Sequence, residues 1–172
     1  MQKQQVVIIM GSKRDLNFAA PIGYVLERFG VNYEYRIASA HKTPKDLLNL
    51  LEEYEKSGNR IVYITIAGMS NALSGVVDAN TRYPVIACPP YSEKFGGADI
   101  YSSLRTPSGV APLVVLNPEN AALAAVKILG LENTVLSEKV GRFQLEKKRE
   151  VQTADKKVKG KKISDLKGLM ET

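Results

Sequence analysis

Histidine and cysteine are almost missing from this chain of 172 residues, which has one of each and no tryptophan. The single cysteine, Cys88, excludes an internal disulfide, and its place in an apolar run predicts a buried thiol rather than a nucleophile. The chain also lacks any Cys/His cluster and the glycine-rich fingerprints of dinucleotide and P-loop sites. We therefore expect neither a metal nor an organic cofactor.

Long hydrophobic runs are missing too. No apolar segment approaches the length of a membrane span, and no signal peptide precedes the first apolar run, so we expect a cytoplasmic protein with no membrane partner. Hydrophobic residues make up 44% of the chain and charged residues 24%, which is ordinary for a globular protein. A length of 172 residues suits one domain with a sizeable core.

The net charge of +6 comes entirely from the carboxyl-terminal end. Residues 1–138 contain 13 basic and 13 acidic side chains, whereas residues 139–172 contain 11 and 5. Basic tails can bind polyanions, but a solvated, partly disordered end is the commoner explanation. We predict one catalytic domain over residues 1–150 and a basic, loosely ordered tail over residues 151–172, with nucleic-acid binding as the less favoured alternative.

Five apolar runs alternate with helical patterns along the chain. Strands are expected at residues 6–10, 33–38, 60–66, 83–88 and 112–116. Helices are expected near residues 16–29, 44–58, 76–80, 99–104, 118–130 and 132–150, with Pro21 kinking the first or resetting its start. This alternation predicts an α/β fold: a doubly wound, flavodoxin-like or Rossmann-like three-layer sandwich with a five-stranded parallel sheet and an extra C-terminal helix.

Small polar residues follow each of the first three predicted strands, at 11–15, 39–44 and 67–75. Because the carboxyl ends of parallel strands meet at one edge of a sheet, we expect these three loops to form one site. The first is a glycine turn before a helix, which suits an anion such as phosphate. Its Gly-Ser-x-x-Asp pattern is a weak signal by itself, since Asp15 either caps the helix or binds a sugar diol.

The only histidine, His41, lies in the second loop, where an extended run ends and a helix begins. Thr43 is expected as the cap of that helix and Pro44 as its first residue. An imidazole at this position can exchange a proton near neutral pH. The position alone is equally compatible with a structural histidine.

The loops, taken together, resemble the aminoimidazole ribonucleotide (AIR) carboxylase family of purine biosynthesis, also called the PurE family. The resemblance spans roughly residues 5–135 and rests on the runs VVIIMGSKRD, SAHKTP, AGMSNALSGVVDAN, VIACPP and GADIYSSLRTPSG followed by PEN. It implies a carboxy-lyase that acts on a small nucleotide and CO2 without a cofactor. It also implies a homo-octamer with active sites between subunits, for which residues 91–110 and the C-terminal helix are candidate contacts.

The family that this chain resembles has two branches, which catalyse different reactions. The mutase branch moves a carboxylate from N5 of a carboxyamino intermediate to ring carbon C4, and it has a second histidine in the loop that matches residues 67–75. The carboxylase branch adds CO2 directly to C4 of AIR, giving 4-carboxy-5-aminoimidazole ribonucleotide without ATP or metal, and has Ser-Asn there and lysine after SAH. Ser70, Asn71 and Lys42 therefore favour the carboxylase, with the mutase as the alternative.

Residue roles follow from the same resemblance, position by position. His41 is the implied general acid/base, which removes the proton that the attack on CO2 leaves on C4. The phosphate and ribose would be held by the first loop, through Gly11, Ser12 and Asp15. The pocket around the histidine would be shaped by Ser39, Ala40 and Lys42, with a solvated surface charge as the less favoured role of Lys42. The base and CO2 would be held by the third loop, through Gly68, Ser70, Asn71, Ala72 and Leu73.

Two positions depart from the family pattern. Arg14 stands where the first loop usually has a second serine, and it either contacts the phosphate or points to solvent. Met69 stands where the carboxylase branch often has arginine. One cation is thus gained and another lost, which is consistent with compensation within a single site. A non-catalytic, phosphate-binding module with a structural histidine is the remaining alternative.

Overall fold

The computed structural model describes residues 3–169. Within that range five parallel strands form one sheet in the order β2-β1-β3-β4-β5. The strands are β1 (Gln4–Met10), β2 (Asn32–Ile37), β3 (Arg60–Ile66), β4 (Val85–Ala87) and β5 (Leu113–Val114). The helices are α1 (Leu16–Phe29), α2 (Pro44–Lys56), α3 (Ala72–Ala79), α4 (Tyr101–Leu104), α5 (Pro118–Gly130) and α6 (Thr134–Val158). Short 3-10 helices span Lys13–Asp15, Lys94–Ile100 and Ile163–Leu169.

The central strand β1 is buried on both faces, which is why it reads as an unbroken apolar run. Successive side chains point to opposite faces of a strand. Val6 and Ile8 therefore pack on the side of α1, α5 and the start of α6, whereas Val7 and Ile9 pack on the side of α2 and α3. These two hydrophobic layers confirm the predicted three-layer, flavodoxin-like fold.

Prolines account for the main differences from the predicted elements. The predicted strands at 83–88 and 112–116 are shortened to β4 and β5, because Pro84, Pro89 and Pro112 flank them and lack the N–H that a sheet ladder needs. Pro21 has less effect than expected: α1 runs through it as one helix with no new start. Its neighbours Ala19 and Ile22 are fully buried in the layer that contains α5, and this packing holds α1 together.

The predicted loose tail from residue 151 is wrong for its first part, because α6 continues to Val158. Half of residues 151–158 are lysine, glutamine or alanine, which have high intrinsic helix propensity, and the lysines stand in the last turn, where they complement the helix dipole. Ion pairs one turn apart, Glu138 with Arg142 and Lys147 with Glu150, stabilise the earlier part of the same helix. The domain boundary at residue 150 stays a prediction, and residues 170–172 of the predicted tail lie outside the described range. No helix among residues 3–169 has both the length and the apolar character to cross a bilayer.

Candidate active site

The carboxyl ends of β1, β2 and β3 lie side by side at one edge of the sheet. Met10 at the end of β1 is in register with Ile37 of β2 and with Ile66 of β3. Beyond the strands, the Gly11 N–H donates to the Ile66 carbonyl at 2.8 Å, and the Ala38 N–H donates to the Met10 carbonyl at 3.0 Å. The three polar loops therefore begin next to one another, as the sequence predicted. The strand order reverses between β1 and β3, and ligands of open α/β sheets bind at such a switch point.

The first loop forms a compact turn ahead of α1. Ser12 Oγ accepts a hydrogen bond from the Arg14 N–H at 3.2 Å, and the Ser12 carbonyl accepts one from the Asp15 N–H at 3.1 Å. Asp15 occupies the cap position of α1 without a side-chain cap hydrogen bond, so its carboxylate is not committed to the helix. Partial burial raises the pKa of the Asp15 carboxyl, and hydrogen bonding of that carboxylate to the Ser12 backbone opposes the rise. Arg14 is exposed.

The second loop is closed by hydrogen bonds between its two ends. The Ser39 N–H donates to Thr43 Oγ1 at 3.0 Å, and the Thr43 N–H donates to the Ser39 carbonyl at 2.9 Å. The Lys42 N–H donates to Ser39 Oγ at 3.2 Å. Thr43 precedes α2 as predicted, but its hydroxyl serves this loop instead of capping the helix. His41 and Lys42 are therefore exposed on a loop of fixed shape, above a partly buried Ala40.

The third loop is strained at its centre. Met69 has φ of 58°, in the left-handed region that a residue with a Cβ rarely adopts, and its side chain is 69% exposed. Gly68 lies close to Pro90, whose Cγ would be 3.3 Å from any Cβ added there. Ser70 is exposed and Ala72 is partly buried on the same loop.

Asn71 and Leu73 lie deeper than the sequence suggested, because α3 begins at Ala72 rather than near residue 76. Leu73 is a core residue, 2% exposed. Asn71 is 4% exposed; its Oδ1 accepts from the Ser74 N–H at 3.2 Å and its Nδ2 donates to Ser103 Oγ at 2.9 Å. Both side chains therefore shape the third loop from within. Sequence reasoning missed Ser103, although it belongs to the quoted run GADIYSSLRTPSG.

The exposed charges of the first two loops suit an anionic ligand. Arg14 and Lys42 are exposed on the first and second loops, and the first turn of α1 adds the positive end of a helix dipole. Among residues 3–169 no group of three His, Cys, Asp or Glu side chains is placed to hold a metal ion. The groups available for chemistry are thus an imidazole, a partly buried carboxylate, exposed cations and backbone amides.

This fold defines a doubly wound α/β protein whose three polar loops meet at the switch point of its sheet, where proteins of this class bind their ligands. The model of the AIR carboxylase family matches residues 5–150, and the chain belongs to that family. It is 56% identical over 155 residues to a phosphoribosylaminoimidazole carboxylase of Archaeoglobus fulgidus, across 90% of this chain and 85% of the relative. It is 46% identical over 154 residues to a phosphoribosylaminoimidazole carboxylase of Treponema denticola, across 90% and 97%.

A solved structure leads to the same family. The crystal structure of Treponema denticola PurE aligns with a TM-score of 0.89 and 45% identity, over 91% of this chain and 99% of that one. The predictions of the AIR carboxylase family, of its fold and of a carboxylase of purine biosynthesis are confirmed.

Proposed function

We propose that this chain adds CO2 directly to C4 of AIR, with His41 as the catalytic general acid/base. The observation that carries the proposal is the placement of His41, the only histidine, on a closed loop at the edge where the Ser70 loop also begins. The relatives from Archaeoglobus fulgidus and Treponema denticola, which align over nine-tenths of the chain, are named as carboxylases. The absence of a second histidine argues against the mutase reaction.

The reaction needs one proton transfer besides carbon–carbon bond formation. C4 of the aminoimidazole is enamine-like, so its electron pair attacks the carbon of CO2 and the new carboxylate takes the charge. The intermediate still has the hydrogen originally bound to C4. His41 accepts that proton, and the electrons of the C–H bond restore the aromatic ring. In reverse, the protonated imidazole returns the proton to C4 and CO2 leaves.

The three loops have distinct tasks in this proposal. The phosphate lies at the first turn of α1, where Ser12 and Arg14 supply a hydroxyl and a cation. The Asp15 carboxylate, free of a capping bond, accepts from the ribose hydroxyls. Lys42 adds a second cation beside His41, and the small third loop holds the base and CO2 away from water.

The homo-octamer implied by the family resemblance is also part of the proposal. Tyr91, Tyr101 and Leu104 are 81%, 71% and 58% exposed, which is a high exposure for large apolar side chains in one segment. Exposed apolar patches mark interaction surfaces. We assign this segment and α6 to contacts between subunits. A cytoplasmic location and the absence of nucleic-acid binding stay predictions.

The test is carboxylation of AIR by the purified protein with dissolved CO2 and no ATP, beside the same assay with the N5-carboxyamino isomer. Formation of the C4 carboxylate from AIR and CO2 supports the proposal. Turnover of the carboxyamino isomer alone would move the chain to the mutase reaction despite Ser70 and Asn71. Inactivity toward both substrates, with AIR still bound, would favour a non-catalytic phosphate-binding module.

Arg14 and Met69 provide a further prediction about the same site. Both are exposed on loops that begin side by side, after β1 and β3. The hypothesis is that a single cation, at position 14 or at position 69, binds the phosphate. Arg14→Ser should then raise KM for AIR about tenfold, which corresponds to loss of one charge-assisted hydrogen bond. The double variant Arg14→Ser with Met69→Arg should regain most of that loss in steady-state kinetics. Purely additive effects of the two changes would contradict compensation.

A further inference from the structure

We infer that Ser102 and Ser103 are positioning residues of this site, which act through Asn71 to hold the strained third loop in its working shape. Both belong to α4, which follows the 3-10 helix Lys94–Ile100 in a different part of the chain from any of the three loops. The inference rests on the proposed function, because it assigns the shape of the third loop a role in binding the base and CO2.

Ser102 links the third loop to the segment before α4. Its Oγ accepts from the Asn71 N–H at 2.9 Å and donates to the Asp99 carbonyl at 2.7 Å. A hydroxyl has a single proton, so the Met69 carbonyl at 3.4 Å is the weaker acceptor. Ser102 therefore bonds two backbone groups of different segments at once and fixes the distance between them.

Ser103 determines how the Asn71 amide is oriented. It is 2% exposed, and its Oγ accepts from Asn71 Nδ2 at 2.9 Å. With Nδ2 held there, Asn71 Oδ1 faces the Ser74 N–H and caps α3. Both atoms of the amide are used, and removal of the Ser103 hydroxyl would leave a buried N–H group without an acceptor.

The third loop needs such a restraint because the backbone at Met69 has a left-handed conformation that methionine disfavours. A left-handed backbone persists at a residue with a Cβ only when its surroundings impose it. The Met69 side chain is 69% exposed, so side-chain packing contributes little to holding it. The two hydrogen bonds between α4 and Asn71 are made only two residues after Met69. They fix the direction in which the chain passes from the third loop into α3.

The experiment compares Ser102→Ala with Ser102→Thr in the complete protein. Ser102 is exposed, so the methyl group of threonine has space and the hydroxyl is kept. Ser164→Ala, at an exposed serine outside the segments assigned to subunit contacts, is the matched control. Three quantities are measured: kcat and KM for AIR carboxylation, and the hydrogen-exchange rate of the Asn71 backbone N–H. Thermal unfolding checks that each variant is folded.

We expect Ser102→Ala to speed exchange at Asn71 and to lower kcat about tenfold, since small misplacements of a reacting site cost rate. Ser102→Thr should restore both, and Ser164→Ala should change neither. Faster exchange with unchanged kcat and KM would overturn the positioning role, and unchanged exchange would overturn the hydrogen bond itself. An inactive wild type would overturn the proposed function together with this inference, whereas an active wild type with an equally active Ser102→Ala would overturn only the inference.

Discussion

His41→Asn is expected to lower kcat for AIR carboxylation by about 10²–10⁴-fold, the usual contribution of a general acid/base. Asparagine keeps a polar side chain of similar size but cannot accept the C4 proton. The substitution should leave the fold intact, because the second loop is closed by Ser39 and Thr43 and the histidine is exposed. Steady-state kinetics in both directions, together with a melting curve, make the measurement.

The matched control is Lys45→Asn, a change to the same residue type at an exposed position in the first turn of α2. It should keep near wild-type activity. If His41→Asn retained activity within twofold of wild type, the histidine would be structural and the proton acceptor would have to be sought elsewhere. Loss of activity in both variants would point to a general effect on the second loop instead of proton transfer.

Ile8→Ala is expected to lower the free energy of unfolding by about 2–5 kcal/mol, the range for removing most of a buried aliphatic side chain. Ile8 is fully buried at the middle of β1, in register with Tyr35 of β2 and Ile64 of β3. The close-packed surroundings cannot collapse fully into the space that is left. Urea unfolding of the two proteins gives the difference.

Ile163→Ala makes the same chemical change at a position that is 69% exposed. It should alter the free energy of unfolding by no more than about 0.5 kcal/mol. Equal losses in the two variants would show that the effect does not arise from burial in the central strand. A change in the urea dependence itself would indicate a shift in the unfolded or native ensemble instead of a lost core contact.

The fold was largely predictable because the sequence patterns that indicate its strands and helices are local. The continuous apolar run over 6–10 is typical of a strand covered on both sides, and the three small polar loops directly follow the strands that place them. Thr43 and Pro44 mark the start of α2 in the sequence itself. The shortness of β4 and β5 was also readable in principle, from the prolines beside them.

The support of the third loop was not predictable, because it depends on contacts between distant segments. Asn71 bonds to Ser102 and Ser103, which lie 31 and 32 positions further along the chain. No spacing rule connects a serine in one short helix with an asparagine that precedes another. The extension of α6 to Val158 was missed for a different reason: an exposed helix end needs no apolar period when it continues a helix already formed and has lysines in its last turn.

Asn71 has two structural roles, and they affect how the enzyme loses activity on heating. One side chain both starts α3 and is fixed to the segment that restrains the third loop. The loop cannot release this side chain without uncapping the helix, whose residues Leu73 and Val77 belong to the core under β1 and β3. We therefore expect the third loop and this part of the core to unfold together. Activity should be lost at the same temperature at which the whole protein unfolds. No folded but inactive state should be populated below that temperature.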